Sequence, residues 1–471
     1  MSQINWQEHF ANIPLNATEK TIERLFVVPL LQSLGYNLNN YTQQFSTGNG
    51  GDCVDFAARK DSDNFLTNPE NPELLIEVKG RQTSGGSTID LGSGTSRYRR
   101  AVKQLERYLL APNCKTAKWG VITNGNHLQL FRKHGKVIHP ATPNLEIISQ
   151  NIIDIIQKAK TIIDSPQRGL TVTFYNNQGG VGKTTTLVNL AGLLSQGLRR
   201  KRKVLVIDFD SQGDLSRLLR IDKPQNSSTP LLQNLQPELT LYKCLIDTNA
   251  NLSQAVERIP ISVPRQQTPI LTDFLWGVGI KEHERENLRN INIPQIEGRA
   301  SRLEKLIQAV KNEYDYIFID APPNADFFSK SALFAADVVL IPTKHLHINS
   351  LYNAKYLIKN TLPQIQEQKR EGTPVPLPIF FNDHDPTPAS LRNCHNFIKG
   401  LLRLENNRYD PDLVPYFYPR STTHRLDTYV FSIKRYLNIQ NAALNGKIAS
   451  LQYRRIAELY LSMAKEYFLD E

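Results

Sequence analysis

The stretch LTVTFYNNQGGVGKTTTLVNLAGLLSQG, residues 170–197, restricts the fold more than any other part of this chain. A short apolar run that suits a buried strand leads into a loop containing Gly179, Gly180 and Gly182, and the loop leads into a helical pattern. Glycines at such a junction let backbone N–H groups converge on an anion without Cβ obstruction, and the helix N-terminus adds its dipole. Lys183 is then placed to reach phosphate oxygens and Thr184 to offer its hydroxyl to Mg²⁺. A glycine-rich turn followed by a surface lysine is the plainer alternative, but it does not account for the strand and helix that flank the loop. The common phosphate-loop pattern GxxxxGK[ST] asks for glycine at 177, where this chain has Asn177.

The strand, loop and helix alternation continues through KVLVIDFD, YDYIFID, DVVLIP and PIFFN, which argues for a doubly wound, mostly parallel α/β sheet. Two of these strands end in carboxylates, at Asp208 with Asp210 and at Asp320, where a phosphate loop would need Mg²⁺ and water held. Strand periodicity predicts that Asp208 and Asp210 share a face.

The segments NNQGGVGKTTT, DFDSQGDLS, IDAPPNAD and ALFAADVVLIPT together resemble ParA/MinD-type partition ATPases, across most of residues 169–471. In that family the loop reads KGGxGK[ST], so no glycine is required at 177, and its first lysine reaches a partner's ATP in a nucleotide-sandwich dimer. This chain has Gln178 there. The resemblance implies ATP and Mg²⁺ as cofactors, a homodimer, DNA as partner, and nucleotide contacts along Gln178, Gly179, Gly180, Val181, Gly182, Lys183, Thr184 and Thr185. It assigns Lys183 to phosphate, Thr184 and Asp320 to Mg²⁺, Asp210 to the attacking water and Asp208 to a supporting role. PRSTTHRLD, around Pro419 and Arg420, resembles the family's segment near the adenine. Glutamine in place of the lysine keeps hydrogen-bond donors but removes a full charge from a site that works by electrostatic stabilisation. ATP binding is expected to survive, with hydrolysis slow or differently triggered.

The N-terminal half carries a second constellation. Asp55 lies in GDCVDFAAR, while Glu77 and Lys79 alternate with Ile76 and Val78 in LLIEVKG, which puts Glu77 and Lys79 on one strand face. Two carboxylates from neighbouring strands can hold Mg²⁺ beside a phosphodiester, and a lysine can position the attacking water. EVKG equally suits the end of an amphipathic strand. TEKTIERLFVVPLLQSLGYN, VDFAAR, LLIEVKG, VKQLERYL and WGVITNGNHLQLF follow the order seen in PD-(D/E)xK nuclease domains similar to the N-terminal module of type I restriction subunits. That resemblance makes Asp55, Glu77 and Lys79 the core, with metal at Asp55 and Glu77. It adds Glu19 from the preceding helix and a QxxxY element, Gln104 and Tyr108. A restriction-endonuclease-like α/β domain is the fold it implies.

The expected organisation is a nuclease-like domain over 1–142, a helical connector over 143–168 and the ATPase over 169–471, with an insertion within 255–298. The net charge of +11 suits an anionic partner. Arg97, Arg99, Arg100, Lys103 and Arg107 in SRYRRAVKQLERY form a basic patch that suits phosphates, or simply a solvated helix face. Cys53, Cys114, Cys244 and Cys394 are scattered, which argues against a metallocluster ATPase. With no apolar run of about 18 residues and no secretory pattern at the N-terminus, a cytoplasmic protein without a membrane span is expected. Two functions fit: an ATP-controlled, Mg²⁺-dependent DNA endonuclease, naturally used in defence against foreign DNA, or a non-cleaving partition or positioning ATPase whose first domain only binds DNA.

Overall fold

The chain divides into two units, one comprising Met1–Pro166, Arg370–Gly372 and Phe468–Glu471, the other Gln167–Lys369 and Thr373–Tyr467. The computed structural model describes residues 4–60, 64–83, 85–166, 169–196, 201–219, 239–261, 274–279, 281, 284, 300–324, 327–422 and 424–470. No helix among them is long and apolar enough to cross a membrane.

In the first unit, α1 (Trp6–Ala11), α2 (Glu19–Ile22), a π-turn (Glu23–Val27) and α3 (Val28–Ser33) precede β1 (Tyr41–Ser46), β2 (Cys53–Ala58) and β3 (Leu74–Val78). Then come α4 (Ser96–Leu109), β4 (Trp119–Thr123), β5 (His127–His134), β6 (Val137–Pro140), β7 (Leu145–Glu146) and α5 (Ile152–Asp164). The sheet runs β1-β2-β3-β4-β5-β6, with β7 also on β5; β3 and β4 are parallel and the other pairs antiparallel. Both faces are covered, which is why all five residues of LLIEV are buried. On one face Phe56, Ile76 and Val78 pack with Ile22, Phe26 and Leu30. On the other, α4 presents Ala101, Leu105, Tyr108 and Leu109, spaced as one apolar helical stripe, to Leu75 and Ile122. Thr95 starts that helix by accepting the Tyr98 N–H at 3.1 Å.

The expected connector is part of this unit. Ile152, Ile155, Ile156 and Ala159 of α5 join the core beside Phe26 and Ile76, because an apolar stripe of that width has to be buried against something.

In the second unit, β8 (Leu170–Phe174), α6 (Lys183–Gln196), β9 (Val204–Asp208), α7 (Asp214–Leu219), β10 (Glu257–Pro260), β11 (Phe274–Val278) and β12 (Tyr316–Asp320) precede β13 (Val338–Leu340). With β15 (Val375–Pro376) they build a sheet in the order β10-β11-β9-β12-β8-β13-β15, parallel except for β10 against β11. A smaller parallel sheet joins β14 (Pro342–Thr343), β16 (Phe380–His384) and β17 (Phe431–Lys434). Every residue of β8, β9 and β12 is buried, as expected of parallel strands covered on both faces.

The expected insertion within 255–298 is in part sheet. β10 and β11 extend the edge beside β9, their alternating side chains fitting a pleated strand pair. Residues 262–273, 280, 282–283 and 285–298 of that stretch lie outside the described residues.

The order also locates the crevice. From β8 the chain crosses to β9 on one side of β12, and from β12 it crosses to β13 on the other side of β8. Such a reversal opens a crevice at the carboxyl ends of the two strands, where ligands of doubly wound sheets sit. The register brings Phe174, Asp320 and Asp208 level there.

Candidate functional site

The loop after β8 is held from below by an asparagine. The Asn176 side chain is buried, donates to the carbonyls of Pro342 (2.9 Å) and Ser350 (3.0 Å), and accepts the Gln178 N–H at 3.1 Å. Gly180 (φ +71°) and Gly182 (φ +90°) then turn the backbone through the left-handed region that favours glycine. A Cβ on Gly182 would come within 1.7 Å of the Asn382 amide nitrogen, which itself donates to the Val181 carbonyl at 2.9 Å. A Cβ built on Gly179 or Gly180 meets nothing within 4 Å, so the loop leaves an open cradle above its backbone.

At the foot of the cradle the Thr184 hydroxyl donates to Asp320 Oδ2 at 2.6 Å. Asp320 Oδ1 is buried and without a hydrogen-bond partner. Burial, with Asp208 adding repulsion, pushes the Asp320 carboxyl well above the usual carboxylate range. Lys183 is also buried, donates to the Asn176 carbonyl at 3.4 Å, and is pulled down by that burial against the charges of Asp320 and Asp210. A buried lysine ammonium and an orphaned carboxylate oxygen beneath an open glycine loop fit a phosphate group with a hard cation.

Asp210 lies beyond the strand whose period would put it on one face with Asp208. Strand β9 ends at Asp208, whose two oxygens accept the Asp210 N–H at 3.2 Å and the Ser216 N–H at 2.7 Å. Asp208 is fully buried, and burial pushes it up to about 6. It therefore shapes the turn into α7. Asp210, past the strand end and less buried, accepts the Gln212 N–H at 2.9 Å and faces Lys183 electrostatically.

Gln178 is half-buried, and its side-chain nitrogen reaches the Gly179 carbonyl at 3.5 Å. Val181 is buried. Thr185 lines a cleft with Gly180, Gly182, Lys344, Asn382, Lys434, Arg435 and Tyr436. Arg420 lies outside that lining; its guanidinium stacks on the Tyr429 ring at 3.3 Å and pairs with Glu466 at 3.7 Å. The anchoring contacts of Asn176 and Asn382 were not legible in the sequence, since those to Pro342, Ser350 and Val181 span 166 to 201 positions. The signal available was an asparagine at the end of an apolar strand run, in YNN and FFN.

In the first unit, Asp55 on β2 faces Glu77 on β3, one step along the antiparallel register from the Phe56 and Ile76 pair. Asp55 accepts the Val78 N–H at 2.7 Å and the Gln44 amide at 3.3 Å. Lys79 pairs with Glu77 and lies 4.0 Å from Glu19. Glu77 is 1% exposed, and its Oε2 has no hydrogen-bond partner. Burial, reinforced by the Asp55 charge, raises Glu77 to about 7 against the pull of Lys79. The sequence-predicted set Asp55, Glu77, Lys79 and Glu19 is thus brought together. Gln104 donates to the Tyr108 hydroxyl at 2.8 Å, so these two pair with each other, and Tyr108 is buried in the α4 core. Of the basic patch, Arg97, Arg100, Lys103 and Arg107 are exposed; Arg99 bonds the Gly94 carbonyl at 2.9 Å and Arg107 pairs with Asp52 at 3.1 Å.

The family described as "AAA domain" matches residues 169–372. The chromosome partitioning protein ParA of Myxococcus xanthus is 32% identical over 174 residues, covering 37% of this chain and 52% of its own length. The sporulation initiation inhibitor protein Soj of Bacillus subtilis is 32% identical over 176 residues, covering 37% of this chain and 58% of its own. Residues 169–372 are thus similar to ParA-type proteins. The chain thus spans between half and three-fifths of the length of these two relatives. Among solved structures, an ATP complex of Cyanothece McdA aligns with 64% of this chain and 96% of its own at 20% identity and a TM-score of 0.43.

Proposed function

We propose that this protein is an ATP-dependent, DNA-associated partition or positioning ATPase. The observation that carries the reading is the Thr184 hydroxyl on Asp320, with the second Asp320 oxygen unpartnered, beneath the open loop of Gly179 and Gly180. In this role the loop N–H groups and Lys183 bind the phosphates, Thr184 and Asp320 hold Mg²⁺, and Asp210 orients water. A Mg²⁺ held by Thr184 and Asp320 would supply the positive charge that offsets the phosphate oxygens. The cytoplasm and an ATP-sandwich homodimer follow from the family resemblance, and DNA is supported by the charge of +11 and by relatives named for chromosome partitioning.

Binding of duplex DNA is expected to require ATP and to weaken by about 10³-fold or more from low to moderate salt if six or more phosphates are contacted. Fluorescence anisotropy across a salt series measures this; nucleotide-independent, salt-insensitive binding counts against the reading. A second expectation concerns Gln178, whose side chain rests on its own loop. Restoring the family's charge with Gln178→Lys is expected to raise ATP turnover about tenfold or more, since one electrostatic stabiliser contributes on that order. An unchanged rate in a phosphate-release assay means that no trans contact is made through this position.

One observation favours a further role for the first unit. Asp55, Glu77 and Lys79 converge with an unpartnered buried carboxylate oxygen, which supports a Mg²⁺-dependent nuclease in place of a DNA-binding module alone.

A further inference from the structure

The ends of β14 and β16 carry a second cluster of polar side chains, which the phosphate site does not use. These strands are parallel, with Pro342 beside Phe380 and Thr343 beside Phe381, so the chain leaves both at the same edge. Two residues beyond β14 stands His345, and β16 ends on His384. Their rings meet edge to face with centroids 4.8 Å apart. His384 also stacks on Phe381 at 5.4 Å, a neighbour that offers it no hydrogen bond. His345 is 7% exposed, and neither of its ring nitrogens has a hydrogen-bond partner; nor has the buried Nδ1 of His384. Buried polar atoms are rarely left so, and three of them on two adjacent rings point to something that binds both.

A neutral imidazole has one lone pair to give, and it is the commonest protein ligand of Zn²⁺ and its neighbours in the d block. With metal–nitrogen bonds of about 2.0–2.1 Å and bond angles from square to tetrahedral, two imidazoles on one ion hold their centroids roughly 4.5–5.3 Å apart. The observed 4.8 Å falls inside that range. Burial keeps both rings uncharged, pushing His384 down to about 4, so no proton competes with a metal at neutral pH. Of the surrounding charges, Asp383 and Asp385 favour a cation here, while Lys434, His347 and His395 oppose one. Asp383 is shared with Lys344 at 3.2 Å and Arg435 at 3.7 Å, so the exposed Asp385 is the better source of an oxygen ligand. We propose that His345 and His384 bind one divalent d-block cation of the Zn²⁺ class, with water and Asp385 completing its shell. The ion ties the ends of β14 and β16 together, one residue from Lys344 and two from Asn382, whose amide holds the Val181 carbonyl of the phosphate loop. Nitrogen ligands separate this site from the oxygen-only position at Thr184 and Asp320, and its binding does not depend on the ATPase reading.

The test is Zn²⁺ titration by calorimetry of the untagged, nucleotide-free full-length chain in excess Mg²⁺, which occupies oxygen-only sites, comparing wild type, His345→Asn, His384→Asn and His347→Asn. Wild type is expected to bind one Zn²⁺ per chain that either His345→Asn or His384→Asn weakens by about 100-fold or more, since the outer partners of a metal ligand alone contribute about 10- to 100-fold. His347→Asn, at an exposed neighbour, is expected to leave the isotherm unchanged. Circular dichroism shows whether each variant is folded. Cu²⁺-loaded wild type gives a reading that needs no variant: its electron paramagnetic resonance spectrum is expected to show coupling to two imidazole nitrogens. Superposed isotherms for wild type and both folded variants, no Zn²⁺ bound by wild type, or a Cu²⁺ spectrum with oxygen ligands alone overturns the proposal and leaves a bridging water as the partner of the orphaned nitrogens.

Discussion

Lys183→Ala is expected to lower ATP turnover by about two to three orders of magnitude, the usual consequence of removing one preorganised electrostatic contact from a transition state. The lysine is buried with its ammonium 3.4 Å from the Asn176 carbonyl, a long bond that phosphate oxygens can replace at little cost. Its charge also acts on Asp320, whose carboxyl burial already pushes up. Without the lysine, Asp320 ionises less readily, so the Mg²⁺ position weakens together with the phosphate position. The fold is expected to tolerate the change, because the ammonium is itself disfavoured by burial. Phosphate release, fluorescent-nucleotide binding and thermal melting together give the test. Wild-type turnover in the variant sinks the assignment, whereas joint loss of turnover and of folding is excluded by the melting curve.

The parts of this site that were legible in the sequence are those written by local rules. A glycine loop between a strand and a helix specifies Lys183 and Thr184 whatever surrounds them, and an apolar run ending in aspartate specifies Asp320. Asp208 obeyed the same rule but serves a different end, since the chain turns immediately after it and two backbone N–H groups take its oxygens. Strand periodicity could not foresee that turn. Asn382 reaches the loop from far along the chain, and Asn176, beside its local bond to Gln178, is anchored by carbonyls of Pro342 and Ser350 that no spacing in the sequence connects to it. In the first unit Asp55, Glu77 and Lys79 could be read from two short strands. The helix over Ile152–Asp164 shows a different limit: its apolar stripe says that it must pack, but not against what.

Nicking of supercoiled DNA in Mg²⁺ and ATP is expected to fall by about 10²-fold or more in Lys79→Ala, the range typical for loss of a group that positions or deprotonates the nucleophile. Intact DNA with wild type would leave the first unit as a binding module. The pH dependence follows from Glu77, raised from 4.5 to about 7 by burial and by Asp55. A metal ligand must shed its proton, so metal binding and nicking are expected to rise with pH through about 7. Stability of the metal-free chain runs the opposite way. Between the unfolded value of 4.5 and the folded value of about 7, the folded state keeps a proton that the unfolded state has lost. Each pH unit in that window removes about 1.4 kcal/mol, roughly 3 kcal/mol in all. Stability from this group is therefore fully present below the lower value and lost as pH rises through the upper one. Glu77→Gln is expected to lack that slope, melting above wild type at about pH 8 without metal, and saturating Mg²⁺ is expected to stabilise wild type more than the variant. Parallel melting curves for the two proteins across this pH range would show that Glu77 is ionised throughout, leaving its orphaned oxygen no proton to exchange for metal.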